Sequence, residues 1–204
     1  MYYLCVAMSE HLVDIHTHHP TGRLIEPTFS GIHPWCAEQH PTATLKEEDV
    51  ADVAFVGEIG LDFRHGAQTA QELLFRQQLA LAERVQKPVV IHCVKAFEPV
   101  MRILREYRLR GVVFHGFIGS RQQGAEAVKR GYYLSFGFGS LRSTRTVETL
   151  RNTPLHRLFL ERDESPEPIE TLYAAVASLL AIGEEELIER LYRNYTELLR
   201  NETK

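Results

Sequence analysis

The chain has little that would tie it to a membrane, to a disulfide scaffold or to polyanions by bulk charge. No stretch approaches the roughly 20 apolar residues of a membrane-spanning helix. The opening Met1–Met8 lacks the basic flank of a signal peptide and reads as an edge strand. Cysteine is scarce: Cys5, Cys36 and Cys93 are an odd number with no C-x-x-C spacing, which argues against a disulfide framework and a zinc knuckle. A reducing cytoplasm is the expected compartment. The formal net charge of -4 gives no global attraction to nucleic acid or anionic lipid, so a nucleic-acid partner would need a local basic patch. Gly137-Phe-Gly139 is not followed by the Gly-Lys-Ser/Thr of a phosphate loop, and there is no Gly-x-Ser-x-Gly elbow for a serine hydrolase. No repeat, low-complexity tract or linker is visible, and nothing points to an obligate protein partner.

What is present is an ordinary globular composition. With 204 residues, 44% of them apolar and 25% charged, the expectation is a single domain over 1–204 that buries its core without covalent staples. Short runs that are apolar on both faces read as buried parallel strands at Leu12–His16, Thr28–His33, Val53–Glu58, Pro88–His92, Gly111–His115, Tyr132–Phe136 and Leu158–Glu161. Helical periodicity occupies Thr69–Gln86, with Leu73, Leu74, Gln77, Leu81, Ala82 and Val85 on one stripe, then Phe97–Tyr107, Ser120–Lys129, Ile169–Leu180 and Glu184–Arg200. The β-α-β order predicts an α/β fold, a TIM-like (β/α) barrel. Pro20 and Pro27 leave little room for a helix between His18 and His33, so the barrel is expected to be distorted or truncated, with about seven parallel strands.

Six side chains capable of binding metal stand at or just beyond the ends of five of these runs. They are His16 and His18 in Asp14-Ile-His-Thr-His18, Glu58 in Gly57-Glu-Ile-Gly-Leu-Asp62, His92, His115 and Asp163. In a barrel of this kind the C-terminal strand ends form the active face. Four imidazoles with two carboxylates are a nitrogen/oxygen set suited to Zn²⁺, Mn²⁺, Fe²⁺ or Co²⁺. Side chains at i and i+2 of an extended segment project to one side, so His16 and His18 can close on one ion, with Asp163 able to join them. Glu58, unlike a histidine, can bridge two cations; His92 and His115 would complete a second site. A two-metal arrangement of this kind activates water for attack.

Neighbouring residues receive subsidiary readings. Asp14 is expected to orient a ligand histidine, and Glu161 to support Asp163. Arg162 is expected to point away into a salt bridge, and Cys93 to lie on the face opposite His92. His33, at another strand end, is a candidate substrate contact, as are Lys95 and Arg121 at the barrel mouth. His11, His19, His40, His65 and His156 fit surface or loop positions.

In order along the chain, Asp14-Ile-His-Thr-His18, Gly31-Ile-His-Pro34, Gly57-Glu-Ile-Gly-Leu-Asp62, Gln71 through Gln77-Gln-Leu-Ala80, Pro88-Val-Val-Ile-His92, Phe114-His-Gly-Phe117, Tyr133-Leu-Ser135, Glu161-Arg-Asp163 and Asn194 resemble the TatD-type metal-dependent deoxyribonucleases of the amidohydrolase superfamily. The resemblance implies one cation on His16, His18, Glu58 and Asp163 and another on Glu58, His92 and His115, with zinc, magnesium and manganese as open choices. It also gives Asp163 the proton-handling role beside Glu58, and a nucleic acid or other phosphoester as substrate. Three departures stand out. The helix and strand that the family usually carries between its H-x-H and its Gly-x-His-Pro are missing. The family's Glu-Thr-Asp is Glu161-Arg-Asp163. The following basic loop is reduced to the acidic Glu164-Ser-Pro-Glu-Pro168. The leading expectation is therefore phosphodiester hydrolysis. Hydrolysis of a lactone, amide or phosphomonoester is one alternative, and a metal-stabilised, non-catalytic binding or scaffolding protein is the other. A histidinol-phosphatase-like domain also opens with H-x-H, but Gly-Glu-Ile-Gly-Leu-Asp favours the first family.

Overall fold

The computed structural model of the chain describes residues 10–39 and 43–200. The edge strand expected at Met1–Met8, and His40, lie outside the described residues. The chain clusters into two compact units, residues 28–115 and residues 1–27 with 116–204.

The 28–115 unit is built on four parallel strands, β1 (Phe29–Ser30), β2 (Phe55–Asp62), β3 (Val89–Val94) and β4 (Val112–Phe114), each paired with the next. All eight residues of β2 are buried, as its apolar run requires. Helices α1 (Gln68–Val85) and α2 (Phe97–Leu104) follow β2 and β3. The glycines of the β2 motif are there for close approach. A Cβ on Gly60, where φ is +145°, would lie 2.0 Å from the His92 carbonyl oxygen. One on Gly57 would lie 2.8 Å from the Val90 Cβ.

The buried stripe of α1 is Gln71, Leu74, Phe75, Gln78, Leu79 and Ala82, a regular i, i+3/i+4 ladder, with Leu81 beside it. The expected stripe was centred elsewhere: Leu73 is 58% exposed and Gln77 is also exposed. The reason is polar. Gln71 accepts the Asp62 N–H at 2.7 Å and donates to the Asp62 carbonyl at 3.0 Å. Gln78 does the same for Ile32, at 2.7 and 3.0 Å. Both amides satisfy backbone groups that would otherwise be buried without partners, so polar residues occupy the inner face.

In the other unit, β5 (Tyr133–Phe136) and β6 (Leu158–Leu160) are parallel neighbours. Helices α3 (Arg121–Lys129), α4 (Thr144–Asn152), α5 (Ile169–Leu180) and α6 (Glu184–Leu199) complete it. Ser120 and Gln123 form a reciprocal cap at the start of α3. The run expected as a strand at Leu12–His16 is extended but pairs only through single bridges, Val13 with Ile25 and Thr17 with Asp163, plus an Ile15 N–H to Leu160 carbonyl bond of 3.1 Å. It divides its backbone between two partners, and no continuous ladder forms. Helix α4 was not anticipated; its buried positions are Thr146, Thr149 and Leu150, too polar for a hydrophobic stripe. Asn194, fully buried on α6, donates to the carbonyls of Leu155 and Leu158 at 2.7 and 2.9 Å and so ties that helix to the entry of β6. Among the described residues no helix is long and apolar enough to cross a membrane.

Candidate metal centre

In the 28–115 unit, Glu58 on β2 meets histidines from three other segments. Its Oε1 lies 2.6 Å from His115 Nε2 just beyond β4, 3.4 Å from His33 Nε2 and in close contact with His92 Nδ1 on β3. His92 Nδ1 is 3.3 Å from both His33 Nε2 and His115 Nε2. Ligand atoms set tetrahedrally about 2.0–2.1 Å from zinc stand about 3.3–3.4 Å from one another. His92 Nδ1 keeps that spacing to each of the other two nitrogens, and the three imidazoles gather round one carboxylate oxygen, a donor set suited to a divalent cation. Glu58 is 8% exposed, so an anionic carboxylate here has little water and needs cationic company.

The other ring nitrogen of His92, Nε2, faces Asp62 Oδ2 at 3.5 Å. That carboxylate, 2% exposed, also accepts from Trp35 Nε1 at 2.7 Å and lies 2.8 Å from His65 Nδ1, and its Oδ1 accepts the Arg64 N–H at 2.9 Å. Burial pushes the Asp62 carboxyl up, but the bonds from Trp35, Arg64, His65 and His92 outweigh it and hold its pKa below the usual carboxylate value. A charged carboxylate behind an imidazole fixes the tautomer that leaves Nδ1 as a donor to metal.

A second candidate ligand set lies in the other unit. His16 Nε2 and His18 Nε2 each stand 3.7 Å from Asp163 Oδ1, and their rings meet edge to face at 5.0 Å. The backbone sets this up: the Asp163 N–H donates to the His16 carbonyl at 3.0 Å, and the His18 N–H donates to the Asp163 carbonyl at 3.2 Å. Asp163 has φ of +56°, a left-handed conformation that aspartate tolerates at a cost and that recurs at functional sites. The edges are a few tenths of an ångström wider than about 3.4 Å, within the reach of a small side-chain adjustment around one ion.

A family model described as TatD related DNase matches residues 27–200. The chain belongs to the TatD family. It is 35% identical over 151 residues to the uncharacterized metal-dependent hydrolase YjjV of Escherichia coli K12, covering 68% of this chain and 58% of the relative. It is 33% identical over 146 residues to the 3'-5' ssDNA/RNA exonuclease TatD of Citrobacter koseri, covering 66% and 56%. The crystal structure of YjjV from Escherichia coli superposes with a TM-score of 0.72 at 28% identity, over 83% of this chain and 75% of that one. The fold class is thus the α/β TIM-like barrel of that family. The chain spans less than two thirds of the length of these curated relatives.

The expected ligands fall into two groups, His16, His18 and Asp163 in one unit and Glu58, His92 and His115 in the other. His33, expected to touch substrate, groups with Glu58 and His92 as a candidate cation site. Lys95 follows β3 with φ of +56° and is exposed. Arg121 opens α3 and lines a cleft with Thr149, Asn152 and Pro154, none of them a ligand candidate. Asp14 was expected to orient a histidine. Its two oxygens instead accept the Arg162 backbone N–H at 2.9 Å and the Arg162 Nε at 2.6 Å. Arg162 is the salt-bridge residue expected, donating also to Glu26 at 2.7 Å and to the His19 carbonyl at 3.0 Å. Glu161 accepts the Gly116 N–H at 2.5 Å.

Burial pushes the Cys93 thiol up to about 12, which makes it a poor metal ligand. His11 stacks on Tyr192 and pairs with Glu189 at 2.6 Å, and His19 pairs with Glu164 at 3.0 Å. His65 and Trp35 were not singled out for the site. The last residue of Gly-Glu-Ile-Gly-Leu-Asp62 was the available signal, since a buried carboxylate ending a ligand strand needs partners.

Proposed function

We propose that the chain is a metal-dependent hydrolase that cleaves phosphodiester bonds, in single-stranded nucleic acid or small nucleotides, using two divalent cations, one on each ligand set. The observation that carries this reading is the gathering of three imidazoles round the single Glu58 oxygen, with His92 Nδ1 3.3 Å from each of the other two nitrogens, about the spacing of donors to one cation. The relatives' names as metal-dependent hydrolase and ssDNA/RNA exonuclease support it. A divalent cation bound at such a site brings the pKa of water toward neutrality and offsets negative charge on a phosphoryl group.

The chain's own residues do the rest. Asp62 keeps His92 oriented. Asp163 carries a proton from the attacking water toward the departing alkoxide, a task suited to a partly exposed carboxylate beside two imidazoles. Lys95, exposed at the end of a ligand strand, offers a positive charge to substrate phosphate.

The test is a substrate panel on protein loaded in turn with zinc, manganese and magnesium. Thymidine 5'-p-nitrophenyl phosphate should be cleaved and p-nitrophenyl acetate should not. Glu58→Gln should lower metal content, read by elemental analysis, and turnover together. Full two-metal occupancy in that variant would remove Glu58 from the ligand set. Large thermal stabilisation by metal, with no turnover on any ester, would favour a binding or scaffolding protein instead.

A further inference from the structure

We propose that Trp35, with His65 beside it, is a stacking platform for one unpaired nucleobase next to the Glu58 ligand set; this rests on the phosphodiesterase reading above. Trp35 is an exposed large hydrophobic side chain, 52% accessible. An indole in water ordinarily gains by folding back onto apolar surface. Here it is held out on a short 3-10 turn, Pro34–Cys36, with His33 capping the turn through the Trp35 N–H at 3.3 Å.

Its ring is also pinned by its edge. The indole N–H donates to the buried Asp62 carboxylate at 2.7 Å, so the polar edge points inward while about half of the side chain meets solvent. Around it stand imidazoles. His65 lies 4.7 Å away, ring to ring, and its side chain is 53% exposed. His33 lies 4.7 Å away at 82°, meeting the indole edge to face.

This chemistry selects a flat, π-rich ligand with polar edges. A fixed aromatic face gives stacking without reading base identity, and the rim of imidazole and carboxylate groups offers donors and acceptors to a base edge. The position ties the base to a phosphate. His33, touching the Trp35 ring, is also 3.4 Å from Glu58 Oε1 and 3.3 Å from His92 Nδ1, so a base on Trp35 lies one ring away from the cation donors. In a duplex both faces of a base are already covered by its neighbours, so only an unstacked end or single strand can use the platform. Single-strand preference then follows from one side chain and needs no basic groove.

The chain holds one tryptophan, so its fluorescence reports on this position directly. Metal-loaded protein would be titrated with a hydrolysis-resistant phosphorothioate thymidine tetranucleotide and with an abasic tetranucleotide of the same backbone. The base-bearing oligomer should quench the fluorescence at a concentration roughly ten-fold or more below the abasic one. On the cleavable substrate, Trp35→Ala should raise KM more than it lowers kcat. Trp35→Phe, which keeps a ring but loses the Asp62 bond, should restore most of the affinity.

Equal titrations with the two oligomers, or Phe and Ala variants with the same KM, would overturn the platform. Hydrolysis with base-independent binding would remove the platform and leave the proposed activity standing. Base-dependent quenching without hydrolysis would do the reverse.

Discussion

Arg162 gives the sharpest energetic test, because its charge is buried. Asp14 is fully buried and Glu26 has 3% side-chain exposure; the Arg162 guanidinium contacts both, at 2.6 and 2.7 Å. Arg162→Met fills a similar volume but leaves Asp14 without its opposite charge. Breaking such a buried pair from one side costs about 3–5 kcal/mol at neutral pH or above.

The loss depends on pH, and the sign can be worked out. Burial pushes the Asp14 carboxyl up to about 6 from 3.8, against the lowering effect of Arg162. A group raised in the folded state contributes its full stability below its unfolded pKa. In the wild type that contribution is therefore complete below about pH 4 and lost between about pH 4 and 6. Without Arg162 the Asp14 pKa rises further, and the carboxyl protonates instead of standing charged and alone. The wild-type carboxyl is itself mostly protonated below about pH 6, so the difference between the two proteins grows by about 1.4 kcal/mol per pH unit only above that value, roughly 3 kcal/mol by pH 8. The destabilisation should shrink from about 3–5 kcal/mol at pH 8 to about 1–2 kcal/mol at pH 5. Urea unfolding of the two proteins in chelator at both pH values measures it, and an Asp14→Asn background should abolish the pH difference. A loss below about 1 kcal/mol at pH 8, or one unchanged at pH 5, would refute the reasoning.

Three further outcomes follow from the site. Asp163→Asn should nearly abolish turnover with the circular dichroism spectrum unchanged, since the amide keeps the shape but cannot carry the proton; wild-type activity in the metal-loaded variant would exclude the residue. Asp62→Asn should weaken metal binding about 10–100-fold, by isothermal titration, through loss of the charge behind His92; unchanged affinity would show that the ring needs no such support. With a net charge of -4 and an acidic Glu164–Pro168 segment, binding to long DNA should be weak and its salt dependence shallow. A slope implying about six or more neutralised phosphates would contradict that.

The candidate ligand positions were legible because each joins an apolar run to a polar terminus, a pattern that survives in one dimension. His16, His18, Glu58, His92, His115 and Asp163 could be read that way. Their partners could not. Asp14 lies two residues from the candidate ligand His16, which points to support for it, but its partner is 148 positions away and only folding reveals it. The inner face of the Gln68–Val85 helix was misread because two glutamines there serve backbone groups, while Leu73 looks outward. The Thr144–Asn152 helix buries threonines and so carried no apolar rhythm. Trp35 and His65 carry no such signal, because what joins them is a shared Asp62 oxygen, and spacing does not encode a shared acceptor.

Gln78 has a consequence for how such a site can vary. The β1 strand ends at Ser30, and two residues later the helix amide takes both the N–H and the carbonyl of Ile32, as an adjoining strand would. One side chain thus works as a detachable stand-in for a ladder, and it clamps the loop immediately before His33 and Trp35. The segment leading into that loop is thereby relieved of setting its position. It can be cut or lengthened upstream while the histidine and the indole keep their places, because their reference point is the helix. Gln78→Glu, able to accept but not to donate, would undo half of the clamp and let both residues drift together.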